Sequence, residues 1–313
     1  MTDRIVFTQV SKFYGEVLGV NRIELSIGPG LTGLVGPNGS GKSTLMNLMT
    51  GLLQPDRGEI NVLGVDRTDP ESLFRMVGYC TQWDSFPHGA SGLSFLTDTL
   101  RLHGHAKNEA RAMADEALAV VGLTDAARRR IAGYSKGMKQ RVKLAHAICH
   151  SPRVLVLDEP LNGLDPVGRT DMINLLRARA DAGQHVVVSS HILNEVDLIS
   201  DTVVMIHGGQ IVAEGAIREV REEIVEHPVQ FLVCCDRPAR VAARSFELDH
   251  VVGAQLVQDR PGVVVATRNG EAFLRHLTRI VLDEELVVEC VMPADESVGA
   301  VYDYLIGPEG QTS

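Results

Sequence analysis

The sequence predicts an α/β protein with a mostly parallel sheet, a helical insertion and a small C-terminal α+β domain. The continuous apolar run at residues 154–157, and the strand at residues 185–190 with its apolar centre at 186–188, are typical of parallel strands that are covered on both faces. Apolar residues at three- and four-residue spacing over residues 93–149 indicate helices inserted into this α/β frame. From about residue 223, the predicted order is β-α-β-β-α-β, the split βαβ arrangement of ferredoxin-like domains.

Length and composition limit the class of protein. The chain has 313 residues, enough for two domains, and 44% of them are hydrophobic, as in an ordinary soluble protein. Its net charge of −10 argues against a dedicated nucleic-acid binder, because neutralising phosphates requires a basic face. No secretory segment is visible, and no apolar run approaches the roughly 18 to 20 residues of a spanning helix. The five cysteines show no C-x-x-C pairing, which predicts reduced packing residues in a cytoplasmic chain.

The N-terminal region predicts two half-buried strands, at residues 5–7 and 23–27. A short turn at residues 12–15 carries the aromatic ring of Tyr14. Such a ring could stack on a nucleobase, a contact that does not depend on which base it meets. Taken alone, however, it is more often a packed surface ring.

A glycine-rich loop follows the apolar strand at residues 31–35 and opens onto a helix near Lys42. It fits the pattern G-x-x-x-x-G-K-[ST], whose glycines let successive backbone N–H groups curl around a phosphate chain. The start of the helix adds its positive dipole end. The loop therefore predicts a nucleoside triphosphate site, rather than an ordinary glycine turn. The residues assigned to it are Gly36, Pro37, Asn38, Gly39, Ser40, Gly41, Lys42, Ser43 and Thr44.

Two side chains of this loop have specific expected roles. Lys42 is expected to reach the β- and γ-phosphates, and Ser43 to give its hydroxyl oxygen to Mg²⁺. Gln82 follows a strand predicted at residues 76–80, so it lies where ligand sites of α/β sheets usually lie. Its amide could complete the metal shell, although a solvated loop glutamine is the simpler interpretation of that residue alone.

The insertion at about residues 83–150 contains three predicted helices and few chemical signals. His103 and His105 flank a glycine at a helix end, and we expect both to face solvent because no ligand partner has the required spacing. The basic run at residues 128–130 is interpreted as a solvated face. Ser135 precedes the third helix and is placed to cap it, which would leave N–H groups exposed to an anion.

Acidic residues follow the buried strand at residues 154–157. Asp158 suits a second Mg²⁺ ligand, and Glu159 is placed to orient or deprotonate an attacking water. The strand at residues 185–190 ends at His191. The glycine-rich loop strengthens the functional interpretation of Asp158 and Glu159, because metal, nucleophile and phosphate must meet at one edge of one sheet.

Seven motifs in one order resemble the nucleotide-binding subunit of an ABC transporter, over residues 1 to about 220. They are Tyr14 as the A-loop aromatic, residues 36–44 as Walker A, Gln82 as the Q-loop, residues 135–139 as the signature, residues 154–159 as Walker B with its glutamate, residues 162–165 as the D-loop, and His191 as the switch histidine. The signature reads Tyr-Ser-Lys-Gly-Met, with Lys136 and Met138 in place of a glycine and a glutamine. That form, with a C-terminal appendage, is similar to the ATPases of bacterial ABC-2-type exporters.

The resemblance implies a P-loop NTPase (RecA-like) sheet with an antiparallel β subdomain, and ATP with Mg²⁺ as cofactors. It implies catalytic roles for Glu159, His191 and Lys42, and metal contacts from Ser43, Gln82 and Asp158. The further nucleotide contacts that it implies come from Tyr14, Gln82, Ser135, Gly137 and Asp165. The expected partners are a second copy or a paralogous ATPase, which completes an ATP sandwich, and an integral-membrane permease. The chain would then lie on the inner face of the cell membrane, held there by that permease. No nucleic-acid partner is expected.

Two alternatives remain at this point. A soluble ABC ATPase acting on ribosomes or DNA usually carries two cassettes or a long coiled coil, and this chain has neither. A P-loop kinase for a small molecule would leave Glu159 and the signature without a role. The predicted domains are the cassette at residues 1–222, with its helical subdomain at about 83–150, and an accessory or regulatory domain at residues 223–313. A last amphipathic helix is expected around residues 298–305 and is more often packed on its own sheet than exposed for a partner.

Overall fold

A computed structural model describes residues 3–65, 69–190, 196, 199–200, 202–216, 229–257 and 261–293. The chain divides into two compact units, Met1–Gly215 and Ala216–Ser313. The sequence-based boundary lies a few residues later, between residues 222 and 223.

An antiparallel sheet of three strands forms the N-terminal part of the first unit. Its strands are β1 (Ile5–Tyr14), β2 (Val17–Ile27) and β4 (Arg57–Val62), in the order β2-β1-β4. The first two strands are longer than the sequence predicts, and residues 12–14 belong to β1 rather than to a turn. The reason is pairing: β1 stays in register with β2 as far as the pair Tyr14 and Val17, despite several register shifts. Gly15, with φ of 64°, makes the turn.

A six-stranded sheet carries the site. Its strands are β3 (Gly30–Val35), β5 (Val77–Cys80), β6 (Val154–Leu157), β7 (His185–Ser190), β8 (Thr202–His207) and β9 (Gln210–Ala216). Their order is β5-β6-β7-β3-β8-β9, and the five strands from β5 to β8 run parallel. The carboxyl ends of β3, β5, β6 and β7 therefore meet at one edge, where ligand sites of such sheets form. The strands β8 and β9 form the predicted hairpin.

In the described part of the first unit, six helices connect these strands. They are α1 (Lys42–Met49), α2 (Pro70–Met76), α3 (Gly92–Leu102), α4 (Lys107–Val120), α5 (Lys136–Ile148) and α6 (Pro166–Asp181). The helices α3, α4 and α5 are those predicted for the insertion. The sequence reasoning missed α2, which begins after Asp69, whose side chain accepts a hydrogen bond from the Ser72 backbone. Among the helices that the structure describes, none has the length and apolar character needed to cross a membrane.

Hydrophobic clusters cover both faces of the large sheet, as the continuous apolar strands predict. In β6, Leu155 and Leu157 face a cluster that includes the inserted helices, whereas Val154 and Val156 face a second cluster built around α1 and the antiparallel sheet. All four side chains are fully buried. This double cover fixes the position of β6, whose end carries the acidic pair.

The second unit has the predicted β-α-β-β-α-β order. Its elements are β10 (Val229–Cys235), α7 (Pro238–Ser245), β11 (Val251–Leu256), β12 (Gly262–Thr267), α8 (Gly270–Asp283) and β13 (Val288–Pro293). The strand order is β11-β12-β10-β13, as in a ferredoxin-like sheet. Its core includes Phe231 of β10 and Phe273 of α8, whose rings stack at 5.5 Å. The helix expected around residues 298–305 lies outside the described residues.

Candidate nucleotide-binding site

The glycine-rich loop between β3 and α1 has the shape of a phosphate cradle. Lys42 crosses the loop, and its Nζ donates hydrogen bonds to the carbonyl oxygens of Gly36 and Pro37, at 2.6 and 2.9 Å. Gly41 has φ of 111°, and a Cβ atom there would lie 2.7 Å from the Gly19 carbonyl oxygen. Only glycine satisfies both constraints. Among the residues that the structure describes, no side chain caps the first turn of α1, so its N–H groups are available to an anion.

The loop also holds an unsatisfied polar atom. Within the described part of the chain, the Ser40 hydroxyl oxygen is buried and has no hydrogen-bond partner. Buried polar groups are nearly always paired in folded proteins. A phosphate oxygen or an ordered water beside the loop would supply the partner. The unpaired Ser40 hydroxyl is therefore consistent with a loop that binds the phosphates of a nucleoside triphosphate.

A chain of hydrogen bonds joins the loop to the ends of β6 and β7. The Ser43 hydroxyl donates to Asp158 Oδ2 at 2.9 Å, although 115 positions separate the two residues. The other oxygen, Oδ1, accepts a 2.6 Å hydrogen bond from the Ser189 hydroxyl, which itself accepts from the Glu159 backbone N–H at 2.8 Å. Sequence reasoning missed Ser189. Its only signal was a polar end to an apolar strand.

Glu159 is held in an uncommon backbone conformation. Its φ of 49° lies in the left-handed region, which costs a non-glycine residue about 1–3 kcal/mol and often marks functional sites. The Asn162 side-chain amide donates to Glu159 Oε2, and the Ser189 hydroxyl holds the backbone N–H. The carboxylate therefore has a fixed direction at the cavity wall.

Burial and the neighbouring carboxylates act in opposite directions on the Lys42 ammonium. Burial lowers the pKa of the Lys42 ammonium, because it removes the cation from water. The negative charges of Glu159 and Asp158 act in the opposite direction and stabilise that cation. A ligand that brings negative charge near Lys42 would favour its protonated form further.

These groups line one open cavity of about 430 Å³. Tyr14 stands at one side of it, half exposed at 47%, with its hydroxyl 3.4 Å from the Thr44 hydroxyl. Gln82, two residues beyond β5, is also in the wall, and Val17 and Leu18 of β2 are wall residues that the sequence reasoning missed. The structure thus brings these predicted site residues to one cavity: Tyr14, Asn38, Gly39, Gly41, Lys42, Ser43, Thr44, Gln82, Asp158 and Glu159.

The donor set fits a magnesium ion. The Ser43 hydroxyl and the Asp158 carboxylate touch each other, and Gln82 is in the same wall. All three side chains offer oxygen atoms, the ligands that Mg²⁺ prefers. The residues present therefore suit the metal that a nucleoside triphosphate normally carries.

Six predicted nucleotide contacts in the described residues do not line this cavity: Gly36, Pro37 and Ser40 of the glycine-rich loop itself, and Ser135, Gly137 and Asp165 from elsewhere in the chain. Ser135 caps α5 as predicted, since its hydroxyl accepts from the Met138 backbone N–H at 3.2 Å. Asp165 caps α6 through the Gly168 backbone N–H, at 2.8 Å. A Cβ atom on Gly137 would lie 3.5 Å from the Gly163 carbonyl oxygen, so the starts of the two helices are close together. His191 falls outside the described residues.

The expectation for the histidines of the insertion was wrong. His103 and His105 are partly buried rather than solvent-facing. The ring of His103 stacks on His150 with centroids 4.4 Å apart, and His105 Nδ1 lies 3.1 Å from Glu109 Oε1. The helix end folds back onto α5, a contact that local spacing does not reveal. Residues 128–130 are exposed, as predicted.

Comparison with known proteins agrees with this geometry. Residues 20–162 match the model of the family described as "ABC transporter". The daunorubicin/doxorubicin resistance ATP-binding protein DrrA of Streptomyces peucetius is 36% identical over 225 residues, which are 71% of this chain and 68% of that protein. The bacitracin transport ATP-binding protein BcrA of Enterococcus faecalis is 30% identical over 304 residues, 96% of each chain.

Two further matches extend the comparison. An uncharacterised ABC transporter ATP-binding protein of Bacillus subtilis, YxlF, is 38% identical over 61% of this chain, and the match spans 63% of that relative's length. The solved dimeric structure of a bacterial ABC transporter cassette superposes with a TM-score of 0.63 at 25% identity, covering 68% of this chain and 99% of that one.

Proposed function

We propose that this chain, which belongs to the ATP-binding proteins of ABC transporters, hydrolyses ATP with Mg²⁺ to drive export through a separate membrane subunit. The observation that carries the proposal is the hydrogen bond between Ser43 and Asp158, which joins the phosphate loop to the acidic end of β6. Phosphate, metal and water must meet there for hydrolysis.

The binding roles follow from the cavity wall. Tyr14 would stack on the adenine, while the backbone N–H groups of residues 36–44 and the Lys42 ammonium hold the phosphates. On binding, Lys42 exchanges its two loop carbonyl partners for phosphate oxygens. Ser43, Gln82 and Asp158 would hold Mg²⁺, which, when bound, neutralises charge on the phosphate oxygens.

Hydrolysis requires a base and a group that stabilises the new charge. Glu159 would orient the attacking water and take its proton. Its hydrogen bonds with Asn162 and Ser189, which fix its side chain and backbone, support this role. His191, which follows β7 in the sequence, is assigned to the γ-phosphate. That contact would matter more in the transition state than in initial binding.

A second copy of the chain would complete the site. Ser135, Gly137 and Asp165 lie at helix starts outside the cavity of their own chain. In a head-to-tail pair with two-fold symmetry, each would reach the nucleotide of the other copy. The solved dimer of a related cassette supports this arrangement. A paralogous ATPase could take the place of the second copy.

Export through a permease is supported by the relatives, whose names refer to drug resistance, bacitracin transport and Nod factor export. We place the chain in the cytoplasm, on the inner face of the cell membrane, held there by the permease. Residues 1–222 form the cassette in this proposal, with a helical subdomain at about residues 83–150. Residues 223–313 form an accessory or regulatory domain, since the catalytic motifs precede it in the sequence.

The test is phosphate release from ATP by the purified chain, with Mg²⁺ or with a chelator, alone and with a candidate permease whose gene neighbours that of this chain. We expect Mg²⁺-dependent release into water, and stimulation or restraint by that membrane protein. Transfer of the phosphate to a small molecule would instead identify a kinase. Activation by ribosomes or DNA, with no response to the membrane protein, would contradict the transport role.

A further inference from the structure

A buried lysine ties the helix α5 to the loop after β5. Lys143 lies in the third turn of α5, and its side chain is only 8% exposed. Its Nζ donates to the Gln82 backbone carbonyl oxygen at 3.0 Å and lies 3.2 Å from Asp84 Oδ1. The motifs found in the sequence give this lysine no role.

The surroundings of Lys143 are specific rather than incidental. Burying an ammonium group is costly unless it is paired and hydrogen-bonded. Asp84 supplies the charge, and Lys139, one turn earlier on α5, approaches the other Asp84 oxygen at 3.7 Å. Both basic residues thus point from one face of α5 at the loop that carries Gln82.

We propose that Lys143 is a positioning residue, which fixes the Gln82 loop to the helix that begins at Ser135. The inference rests on the proposed roles of Gln82 at the metal and of Ser135 at the opposite nucleotide. Lys143 holds the backbone of Gln82 itself, so a movement of α5 would carry with it the Gln82 side chain, which would help to hold Mg²⁺. Eight residues separate Ser135 from Lys143, about 12 Å along a helix at 1.5 Å per residue.

The consequence is that α5 couples the nucleotide of the second copy to the nucleotide in the chain's own cavity. When the start of α5 meets the nucleotide of the second copy, the same rigid helix sets the position of Gln82 in its own cavity. Neighbouring contacts support rigidity: the Gln140 amide donates to the Cys80 sulfur at 3.9 Å, and a Cβ on Gly78 would lie 1.9 Å from the Ala147 carbonyl oxygen. Lys143 therefore couples metal binding in one cavity to the association of the two copies.

The test replaces Lys143 by methionine, which keeps the length of the side chain and removes its charge and donors. Binding of Mn²⁺ in the presence of ATP, followed by electron paramagnetic resonance, should weaken about ten-fold, the usual cost of losing a group that orients a metal ligand. ATP binding without metal should stay within about two-fold, because the P-loop and Tyr14 are untouched. Hydrogen exchange of the backbone amides at residues 81–84 should accelerate.

Matched variants separate positioning from stability. Arg141→Met removes a cation from the same helix. Arg141 donates to the Val121 carbonyl oxygen and to Asp171, and it does not line the cavity. This variant should leave Mn²⁺ binding unchanged. Lys143→Arg should restore much of that binding, because a cation and its donors return. If Lys143→Met does not fold, Asp84→Asn tests the same link with the lysine in place.

The outcomes are distinct. If Lys143→Met and Arg141→Met bind Mn²⁺ equally well while the wild type hydrolyses ATP, the positioning role is wrong and the proposed function stands. If the wild type shows no metal-dependent ATP binding or hydrolysis, the proposed function itself fails.

Discussion

Ser189 donates a 2.6 Å hydrogen bond to Asp158, and its hydroxyl also accepts from the Glu159 backbone N–H. One hydroxyl at the end of β7 thus orients both acidic residues at the end of β6. It is fully buried, so water cannot replace it without rearrangement.

Replacing this hydroxyl should slow hydrolysis more than it weakens binding. In Ser189→Ala, Asp158 loses a donor and Glu159 loses its backbone anchor, and we expect kcat to fall about 10- to 100-fold, as for other groups that orient ligands. Steady-state ATPase assays and nucleotide titration measure the two effects. Ser189→Thr keeps a hydroxyl and should retain most activity. Equal activity of the alanine and threonine variants would contradict this role.

Lys42→Ala should abolish ATP binding as well as hydrolysis. It removes the cation directed at the β- and γ-phosphates of a ligand with four negative charges. Fluorescence titration with an ATP analogue measures the affinity. Arg75→Ala is a suitable control, since Arg75 forms an exposed ion pair with Glu71 on α2. Near-normal ATP affinity in Lys42→Ala would refute the assignment of the loop.

Glu159→Gln should keep ATP bound and stop its turnover. The amide preserves the shape of the side chain but cannot take a proton, so kcat should fall about 10²- to 10⁴-fold. With ATP bound and not hydrolysed, two copies of the variant should stay together. In gel filtration with Mg-ATP, the variant should therefore elute at twice the apparent mass of the nucleotide-free chain. Glu71→Gln, an exposed change, should stay active. A monomer at every ATP concentration would count against the shared site.

Stability should fall as the pH drops from 6.5 towards 5. Burial, with the nearby ring of His103, lowers the pKa of both His146 and His150 to about 4. Their unfolded pKa is about 6.5, so the unfolded chain binds more protons between these values. Each histidine should then cost up to about 1.4 kcal/mol of unfolding free energy per pH unit.

Urea unfolding at pH 6.5, 5.75 and 5 measures this slope. The variant His150→Gln keeps a donor for the Val77 carbonyl, which lies 3.3 Å from His150 Nε2, and lacks the titrating ring. Its slope should be clearly smaller than that of the wild type. An identical slope in both proteins would show that these rings do not control acid sensitivity.

A chain that ends at Arg221 should fold and bind ATP, because Tyr14 and the P-loop lie in the first unit. Circular dichroism reports folding, and titration with a fluorescent ATP analogue reports binding. The shortened chain is expected to lose dimer stability or response to the membrane subunit. A folded chain that cannot bind ATP would refute both the domain boundary and the accessory role of residues 223–313.

The sequence predicted what depends on local pattern. The P-loop has a fixed spacing, and the ends of parallel strands share one edge of their sheet, so the sequence alone predicts that Lys42, Gln82 and Asp158 lie together. Ser189 and Lys143 were missed, because a strand-end serine and a helical lysine have no distinguishing spacing. Their roles arise from contacts between segments that are distant in sequence.

The same limit explains the errors. The pairing of β1 with β2 continues through several register shifts, which break the alternation that marks a strand. The partial burial of His103 was missed because its stacking partner, His150, follows α5 and is distant in sequence. Long-range packing overrides local pattern in both cases.

The core that β6 shares with the inserted helices has a consequence for local unfolding. Leu155 and Leu157 pack in one cluster with side chains of α3, α4 and α5. Within the described residues, the inserted helices therefore share their core with β6, and they should exchange their most protected amide hydrogens together with it. If β6 and these helices unfold together, a ligand that binds at Asp158 and Glu159 stabilises all of them. Such a ligand should therefore slow amide hydrogen exchange in the inserted helices, even at residues distant from the ligand.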